Sequence, residues 1–297
     1  MKTLTFYKKG KPKFGVKTDH GIVDVESAIK THIAPDKQRH YPTNVNELIS
    51  GGDVAKQKLN QLLSTVEGNV TYLNEEELDI GPCVLGPQKI ICVGLNYRKH
   101  AEESNMHIPQ QPILFSKFNN TLTGHKQDVK LPARSSQVDY EAELAIVIGK
   151  TAQNVSKEEA LSYVYGYCNA NDLSARDLQM QTPQWLLGKT CDGFCPVGPY
   201  LVSRDEVDDP NNMRIRAVVN GEVRQDSNTS DMIFHCDDII SYCSHHMTLE
   251  PGDLILTGTP EGVILGYEED KRVWLKDGDE VIIEIEKLGR LSNTMVR

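Results

Sequence analysis

Residues 140–150 (YEAELAIVIGK) have the pattern of a β-strand that begins with two carboxylates. β-Branched and aliphatic residues dominate the second half of the segment, and a glycine closes it. Because strand side chains alternate between the two faces of a sheet, one face is apolar throughout, and the other carries Glu141 and Glu143 before it becomes apolar. Two such side chains can converge on one point above the sheet. Like charges that converge away from water are costly unless a cation lies between them.

The glutamate pair has two interpretations. In the first, Glu141 and Glu143 lie at the solvated end of an edge strand. In the second, they form part of a metal site that needs a further oxygen ligand. Residues 166–179 (GYCNANDLSARDLQ) offer Asp172 at a strand-to-helix junction, where it could also simply cap the helix. Two glutamates and an aspartate are hard oxygen ligands suited to Mg²⁺ or Mn²⁺.

Six motifs make the chain resemble the fumarylacetoacetate hydrolase family, and in particular its short bacterial and mitochondrial members. The resemblance covers about residues 82–297. In that family the E-x-E pair and the later aspartate bind a divalent metal, so the resemblance implies that Glu141, Glu143 and Asp172 bind Mg²⁺ or Mn²⁺. The motifs are VGLNYRKHAEE, DYEAELAIVIGK, NDLSARDLQ, QWLLGKTCDGFCPVGP, VNGEVRQDSNTSDMIF and LTGTPEGV.

The same resemblance assigns four further residues. Lys189 in LLGKTCDG matches the active-site lysine of the family, although a single lysine is more often a solvated surface residue. Arg176 and Gln179 are three residues apart in a helix-like segment, so they share a face and correspond to substrate-contact positions. Thr259 in LTGTPEGV lies in a rigid turn, where its hydroxyl could bind a substrate carboxylate. Without the resemblance, these patterns indicate an ordinary polar helix face and a turn.

The segment NYRKHAEESN contains a candidate general base. If it is helical, His100 and Glu103 lie on one face, so Glu103 can orient water or the imidazole while His100 takes the proton. The resemblance implies that this segment forms a lid over the metal. Many relatives carry an acidic residue just before the histidine, where this chain has Lys99. The alternative is an ordinary surface histidine.

These residues predict a Mg²⁺-dependent enzyme that cleaves a C–C bond in a 2-oxo acid. The reaction would be hydrolysis of an acylpyruvate-type β-diketo acid or decarboxylation of oxaloacetate, with the keto group of the substrate polarised by the metal. One alternative is an isomerase or hydratase of dienoic 2-oxo acids in aromatic catabolism. Another is a non-enzymatic β-rich module with a structural Ca²⁺ site, against which Lys189, His100 and Glu103 argue.

Many short strand-like runs and few helices predict an α+β fold without regular βαβα alternation. We expect a β-rich, mixed-sheet core like the C-terminal domain of fumarylacetoacetase over residues 81–297, preceded by a small N-terminal α+β domain over residues 1–80. Residues 79–89 (DIGPCVLGPQK) are a candidate linker because of their Gly-Pro breaks.

Charge and composition limit the partners. A formal net charge of −10 opposes nucleic-acid binding. No segment has the length and apolar character of a membrane span or a signal peptide, so we expect a cytoplasmic protein whose partner is a small 2-oxo acid.

Seven irregularly spaced cysteines make a disulfide framework improbable, and the His/Cys-rich residues 235–246 match no zinc template. Residues 225–234 (QDSNTSDMIF) resemble the segment with which relatives pair as homodimers.

Overall fold

The computed structural model describes residues 1–297. Strands and short helices alternate along the chain, connected by turns and short 3₁₀ segments. The helices are α1 (Val25–His32), α2 (Val45–Val66), α3 (Arg98–Glu103), α4 (Lys157–Ala160), α5 (Arg176–Gln179), α6 (Leu186–Lys189) and α7 (Cys236–His246). The strands are β1 (Lys2–Lys8), β2 (Lys11–Thr18), β3 (Gly21–Asp24), β4 (Asp79–Ile80), β5 (Ile90–Gly94), β6 (Ile113–Lys117), β7 (Leu122–Thr123), β8 (Val129–Lys130), β9 (Val138–Asp139), β10 (Ala142–Ile148), β11 (Val164–Asn171), β12 (Ser174–Ala175), β13 (Cys195–Ser203), β14 (Arg214–Val219), β15 (Glu222–Asn228), β16 (Leu254–Leu256), β17 (Glu280–Ile285) and β18 (Gly289–Val296).

The strands form one large mixed sheet and two smaller ones. The eleven-stranded sheet has the order β3-β2-β1-β13-β11-β10-β16-β5-β6, with β4 added to β1 and β7 to β13. A five-stranded sheet has the order β15-β14-β17-β18-β8, and β12 pairs with β9. Most neighbours are antiparallel, but β16 and β5 are parallel. The predicted α+β class with a β-rich, mixed-sheet core is therefore confirmed.

Strand β10 lies in the interior of the large sheet, between β11 and β16. Its two faces enter different hydrophobic clusters, as the alternation of its side chains predicts. Ala145 and Val147 pack on one side, against the N-terminal elements. Because every residue of β10 is buried, the interpretation of an edge strand with a solvated end is wrong. The residues of the opposite face are Tyr140, Ala142, Leu144, Ile146 and Ile148.

Residues 1–80 join the large sheet. Strand β1 pairs with β13, with Thr3 opposite Leu201, and β1 to β3 form an antiparallel meander. Helix α2 bends at Gly52, which has a positive φ of 52° that favours glycine. The division at residue 80 stays a prediction, but the N-terminal segment and the remaining chain share one sheet and one core cluster.

Residues 79–89, the candidate linker, are packed against the rest of the chain over much of their length. The first two residues form β4, which pairs with β1, and both Cys83 and Val84 are fully buried. The two Gly-Pro breaks therefore turn a chain that is packed into the core.

All seven cysteines are free, and Cys236 and Cys243 of α7 are buried. None of the helices has both the length and the apolar composition that crossing a bilayer requires.

Candidate metal centre and active-site cavity

The pairing of β10 with β11 positions the predicted metal ligands. Ala142 lies opposite Asn171 in this antiparallel pair, so Glu141 and Asp172 lie next to each other at the same end. The backbone N–H of Asp172 donates to the carbonyl oxygen of Glu141 over 3.0 Å. The backbone N–H of Glu141 donates to Asn171 Oδ1, also over 3.0 Å. Local sheet geometry thus fixes two carboxylates that are thirty-one residues apart in the chain.

Three carboxylates converge at this end of the sheet. One oxygen of each of Glu141, Glu143 and Asp172 lies within 4.8 Å of the others, and all three residues are buried. Glu143 Oε2 accepts the backbone N–H of Gly258 over 2.7 Å. Asp172 is completely buried and does not act as a surface helix cap. The structure therefore brings together the three residues predicted to bind a metal.

Two lysines approach this carboxylate cluster. Lys189 Nζ donates to Glu141 Oε2 over 2.7 Å and to Asp172 Oδ2 over 2.9 Å. Burial alone would lower the pKa of Lys189, but Asp172 and Glu141 outweigh burial and raise it, so the ammonium stays charged. Lys117, at the end of β6, forms an ion pair with Asp172 and donates to the carbonyl of Leu173 over 3.1 Å. Sequence reasoning did not identify Lys117. Its only distinguishing feature in the sequence is its position at the end of a largely apolar strand.

The carboxyl groups differ in their electrostatic environment. Burial alone would raise the pKa of Glu141, but Lys189 and Arg176 outweigh burial and lower it to about 2. Glu143 forms no ion pair, and the pKa of its carboxyl is raised well above its ordinary value by burial and by the neighbouring Asp172 and Glu141. A cation among the three oxygens would favour the ionised form of Glu143. This all-oxygen donor set therefore fits a hard divalent cation such as Mg²⁺ or Mn²⁺.

Arg176 and Gln179 occupy the two ends of the short helix α5 and contact each other. Arg176 Nη1 donates to Gln179 Oε1 over 3.0 Å, as their three-residue spacing predicts. Arg176 Nη2 lies 2.7 Å from Glu141 Oε1, and Arg176 Nε donates to Asp139 Oδ2 over 2.9 Å. Asp139 also accepts the backbone N–H groups of residues 264–265, over 2.9 and 3.0 Å. Asp139, which sequence reasoning missed, thus connects α5 to the loop at residues 264–265, and Leu265 of that loop also lines the cavity described below.

The turn after β16 carries Thr259. Gly258 has a φ of +100°, and a Cβ at this position would lie 2.7 Å from Asn96 Cβ, so no other residue fits without strain. Gln225 Nε2 donates to Thr259 Oγ1 over 2.9 Å. Gln225 Oε1 accepts the backbone N–H of Ala142 over 2.9 Å. Gln225 therefore fixes the threonine hydroxyl relative to β10, a role that no local sequence pattern indicates.

His100 and Glu103 form the predicted pair on helix α3. His100 Nδ1 and Glu103 Oε1 are 2.8 Å apart, and both oxygens of Glu103 accept the backbone N–H of Gly262, over 3.2 and 3.0 Å. A side chain at Gly266 would collide with the Glu103 carboxylate, since its Cβ would lie 2.6 Å from Glu103 Cδ. The helix is thus held above the turn by Glu103, which orients the imidazole.

Residues 225–234 also anchor helix α3. Arg98 Nη1 donates to the carbonyl of Met232 over 2.7 Å, and the backbone N–H of Lys99 donates to Asp231 Oδ2 over 3.1 Å. The exposed Lys99 Nζ lies 3.6 Å from Glu261 Oε1. Met232 is fully buried within its own chain, so a subunit contact at this motif would not use its side chain. The expected homodimer stays a prediction.

A cavity of about 360 Å³ collects the predicted residues. Eight of the nine line it, and the exception is Asp172, which is fully buried and accepts a hydrogen bond from Lys189. A larger and more open depression of about 680 Å³ flanks β6 and contains none of the nine. The smaller cavity is therefore the candidate active site. Its lining includes His100, Glu103, Glu141, Glu143, Arg176, Gln179, Lys189 and Thr259.

Fold and site together define an enzyme class in which a carboxylate cluster opens into a small cavity beside a histidine. The chain belongs to the fumarylacetoacetate hydrolase family: residues 89–296 match the family described as Fumarylacetoacetate (FAA) hydrolase C-terminal. The resemblance noted from the motifs is thus confirmed, and the matched residues include all nine predicted site positions.

Relatives and solved structures agree with this assignment. The mitochondrial oxaloacetate tautomerase of Xenopus laevis is 43% identical over 257 residues, which are 86% of this chain and 79% of that protein. The fumarylacetoacetate hydrolase of Exiguobacterium antarcticum is 34% identical, with a TM-score of 0.83 over 100% of this chain and 99% of its own. The maleylpyruvate hydrolase of Sphingobium sp. SYK-6, solved with manganese(II) and pyruvate, is 29% identical, with a TM-score of 0.79 over 100% and 99%.

The expected cytoplasmic location is contradicted by these comparisons. Related oxaloacetate tautomerases from frog, rat, cattle and human are all named as mitochondrial proteins. The argument from the N-terminal sequence was insufficient, because the lack of a long apolar segment says nothing about import routes that use amphipathic, arginine-rich leaders.

Proposed function

We propose that this protein is a divalent-metal-dependent enzyme that cleaves a C–C bond in 2-oxo acids. The reaction is hydrolysis of acylpyruvate-type β-diketo acids or decarboxylation of oxaloacetate. One observation carries the proposal: Glu141, Glu143, Lys189 and the His100–Glu103 pair line one cavity, and the buried Asp172 completes the carboxylate cluster at its wall. The similar maleylpyruvate hydrolase that was solved with manganese and pyruvate supports a metal ion and a 2-oxo acid as ligands of this kind of cavity.

In this proposal Glu141, Glu143 and Asp172 bind Mg²⁺ or Mn²⁺. When bound, such an ion supplies Lewis-acid polarisation of the substrate keto oxygen, an effect worth several kcal/mol. The chain contributes the charge balance around the ion. Lys189 and Lys117 contact Asp172, and Lys189 and Arg176 contact Glu141, so two of the three ligands are held in position by fixed cations.

Lys189, Thr259 and Gln179 orient the substrate. The Lys189 ammonium has three N–H groups, of which two bind carboxylates, so one remains for a substrate oxygen. The Thr259 oxygen already accepts a hydrogen bond from Gln225, which leaves its own proton free to donate to a substrate carboxylate. The Gln179 carbonyl oxygen accepts from Arg176, which leaves its amide N–H groups free to donate. These unused donors suit an anionic, oxygen-rich ligand.

The His100–Glu103 pair supplies the base for hydrolysis. His100 Nδ1 lies 2.8 Å from Glu103 Oε1, so in the proposed tautomer Nδ1–H donates to the carboxylate and Nε2 is free to take a proton. In hydrolysis, Nε2 removes a proton from the water that attacks the acyl carbonyl, and the C–C bond to the pyruvyl carbon then breaks. The acyl group leaves as a carboxylic acid. The proton then returns from Nε2 to the pyruvyl carbon, which gives pyruvate. Decarboxylation needs no such water, since oxaloacetate loses CO₂ directly.

Proton transfer without bond cleavage is the second candidate function. His100 next to a 2-oxo acid can also move a proton between carbon and oxygen, which interconverts keto and enol forms. Similarity to proteins named oxaloacetate tautomerase favours this reaction. An isomerase of dienoic 2-oxo acids would use the same proton transfer.

An assay with several substrates tests the proposal. Purified protein with Mg²⁺ or Mn²⁺ is supplied in parallel with acetylpyruvate, oxaloacetate, its enol form and a dienoic 2-oxo diacid. We expect metal-dependent turnover of acetylpyruvate or oxaloacetate. Turnover of the enol or the diene alone would replace the cleavage proposal with the tautomerase or isomerase reaction. No turnover of any of them would contradict the 2-oxo acid site.

We also propose that the protein forms a homodimer through the outer edge of the large sheet. Strand β6 is the terminal strand there, so its outer backbone groups have no strand partner within the chain. Beside it, Phe118, Leu186 and Met247 are 53%, 36% and 37% exposed and line the larger depression. An unpaired edge beside exposed apolar side chains is typical of a surface that another chain covers.

A further inference from the structure

Arg272 lines the active-site cavity, but neither the motifs nor the carboxylate cluster accounts for it. It follows the short 3₁₀ turn Glu269–Lys271, beyond the turn that holds Glu103. Its Nε donates to the backbone carbonyl of Tyr267 over 2.9 Å, which fixes the plane of the guanidinium at the cavity wall. Both Nη groups are left without a hydrogen-bond partner in the protein.

The other cations of the cavity are already paired with carboxylates. Lys189 and Arg176 both contact Glu141 at 2.7 Å, so their charge serves the metal site. Arg272 forms no ion pair. Its neighbour Lys271 forms an exposed ion pair with Glu268 outside the cavity. The cavity therefore contains one uncommitted positive charge.

The surroundings of Arg272 favour an anion. The glutamates that line the same cavity, Glu103, Glu141 and Glu143, accept hydrogen bonds from other groups and form no ion pair with Arg272. A guanidinium presents parallel N–H groups that match the two oxygens of a carboxylate. A cation at the cavity wall that is held by a backbone carbonyl and has two free donor groups is a receptor for a carboxylate that comes from the ligand.

We propose that Arg272 binds the distal carboxylate of a dicarboxylic 2-oxo acid, and that it selects diacids over monoacids. This inference rests on the proposed function, since the 2-oxo acid end of the ligand is placed at the carboxylate cluster. Oxaloacetate has such a second carboxylate, whereas acetylpyruvate ends in a methyl ketone. A charge-assisted hydrogen bond of this kind corresponds to a preference of roughly 10- to 100-fold.

Binding of two non-cleaved ligands tests the inference. 2-Oxoglutarate and 2-oxobutyrate share the 2-oxo acid end, but only 2-oxoglutarate has a distal carboxylate. Titration calorimetry of the metal-loaded protein should show tighter binding of 2-oxoglutarate by roughly 10- to 100-fold. In Arg272→Leu this ratio should fall close to one, while the affinity for 2-oxobutyrate stays unchanged. Lys271→Met is the matched control, because it removes a neighbouring positive charge outside the cavity and should keep the ratio.

The outcomes separate this inference from the proposed function. If the wild type binds 2-oxobutyrate and 2-oxoglutarate equally, or if Arg272→Leu keeps the preference, the role of Arg272 is wrong and the 2-oxo acid site stands. If neither ligand binds the metal-loaded wild type, both the site and the inference fail. If Lys271→Met lowered the affinity ratio as much as Arg272→Leu, the preference for 2-oxoglutarate would come from general surface charge. That result would also overturn the inference.

Discussion

Glu103 Oε1 lies 2.8 Å from His100 Nδ1, and Oε2 of the same carboxylate accepts the backbone N–H of Gly262 over 3.0 Å. One side chain therefore connects the candidate base to the turn that carries Thr259. This arrangement explains how helix α3, only six residues long, can hold a histidine in a defined orientation. In the proposed mechanism, the pair is necessary for a water-dependent reaction and dispensable for one without water.

We predict that His100→Ala and Glu103→Gln reduce acetylpyruvate hydrolysis by about 10²- to 10⁴-fold, because they remove or misorient the base. Oxaloacetate decarboxylation should fall much less, since it needs no activated water. Steady-state rates on both substrates measure the difference. Glu102→Gln is the control, because this exposed residue lies on the same helix outside the cavity. An equal decrease of both activities would show that the pair acts in closure or substrate binding.

We predict that Lys117→Met destabilises the protein by about 3–5 kcal/mol, because it leaves Asp172 buried with one cation fewer. Urea unfolding of the metal-free protein measures the loss. The double variant with Asp172→Asn should recover part of the stability, since the buried carboxylate that has lost one of its two lysine partners is removed. Lys126→Met provides the control: its ion pair with Glu76 is exposed, so no measurable change is expected. Equal stability of Lys117→Met and wild type would contradict the structural importance of the buried pair.

The raised pKa of Glu143 predicts a pH-dependent metal affinity. In the metal-free protein this carboxyl keeps its proton to a higher pH than an exposed glutamate, so a binding cation must displace that proton. Metal affinity should therefore fall as the pH falls through the raised pKa. The metal-free protein should also lose stability as the pH rises above the unfolded-state pKa, because only the folded state still holds the proton. Calorimetry in two buffers with different ionisation enthalpies measures proton release, and the absence of release would refute this assignment.

The proposed dimer makes a prediction about solution mass. The protein should sediment as a dimer at micromolar concentration, and Phe118→Asp should shift it toward the monomer, because a charge is placed on the exposed apolar edge beside β6. Val273→Asp is the control, since Val273 is also exposed but lies on the separate loop beside Arg272. A monomeric wild type, or an unchanged mass for Phe118→Asp, would count against this interface.

Local patterns predicted the residues that lie next to one another in the chain. The alternation in β10 placed Glu141 and Glu143 on one face, and the helical spacing placed His100 beside Glu103. The position of Asp172 at a strand-to-helix junction offered it as the third ligand but also as a helix cap, and the family resemblance favoured the ligand.

Residues that reach the site across the fold were missed. Lys117 contacts Asp172 over a separation of 55 residues, and Gln225 contacts Ala142 over 83. Neither contact produces a periodic pattern in the sequence, because each contact forms only when distant parts of the chain pack together. Arg272 was missed for another reason: it lies in a highly charged loop where one more cation is unremarkable in sequence. The shared sheet of residues 1–80 was equally invisible, since β1 pairs with a strand almost 200 residues later.

The central claim is that Glu141, Glu143 and Asp172 bind the divalent cation on which turnover depends. The most direct measurement is turnover of acetylpyruvate and oxaloacetate after dialysis against EDTA, and again after Mg²⁺ or Mn²⁺ is restored, in wild type and in Glu143→Gln. We predict that EDTA abolishes the wild-type activity, that the metal restores it, and that Glu143→Gln stays inactive although folded. Full activity in EDTA, or an unimpaired Glu143→Gln variant, would contradict the claim.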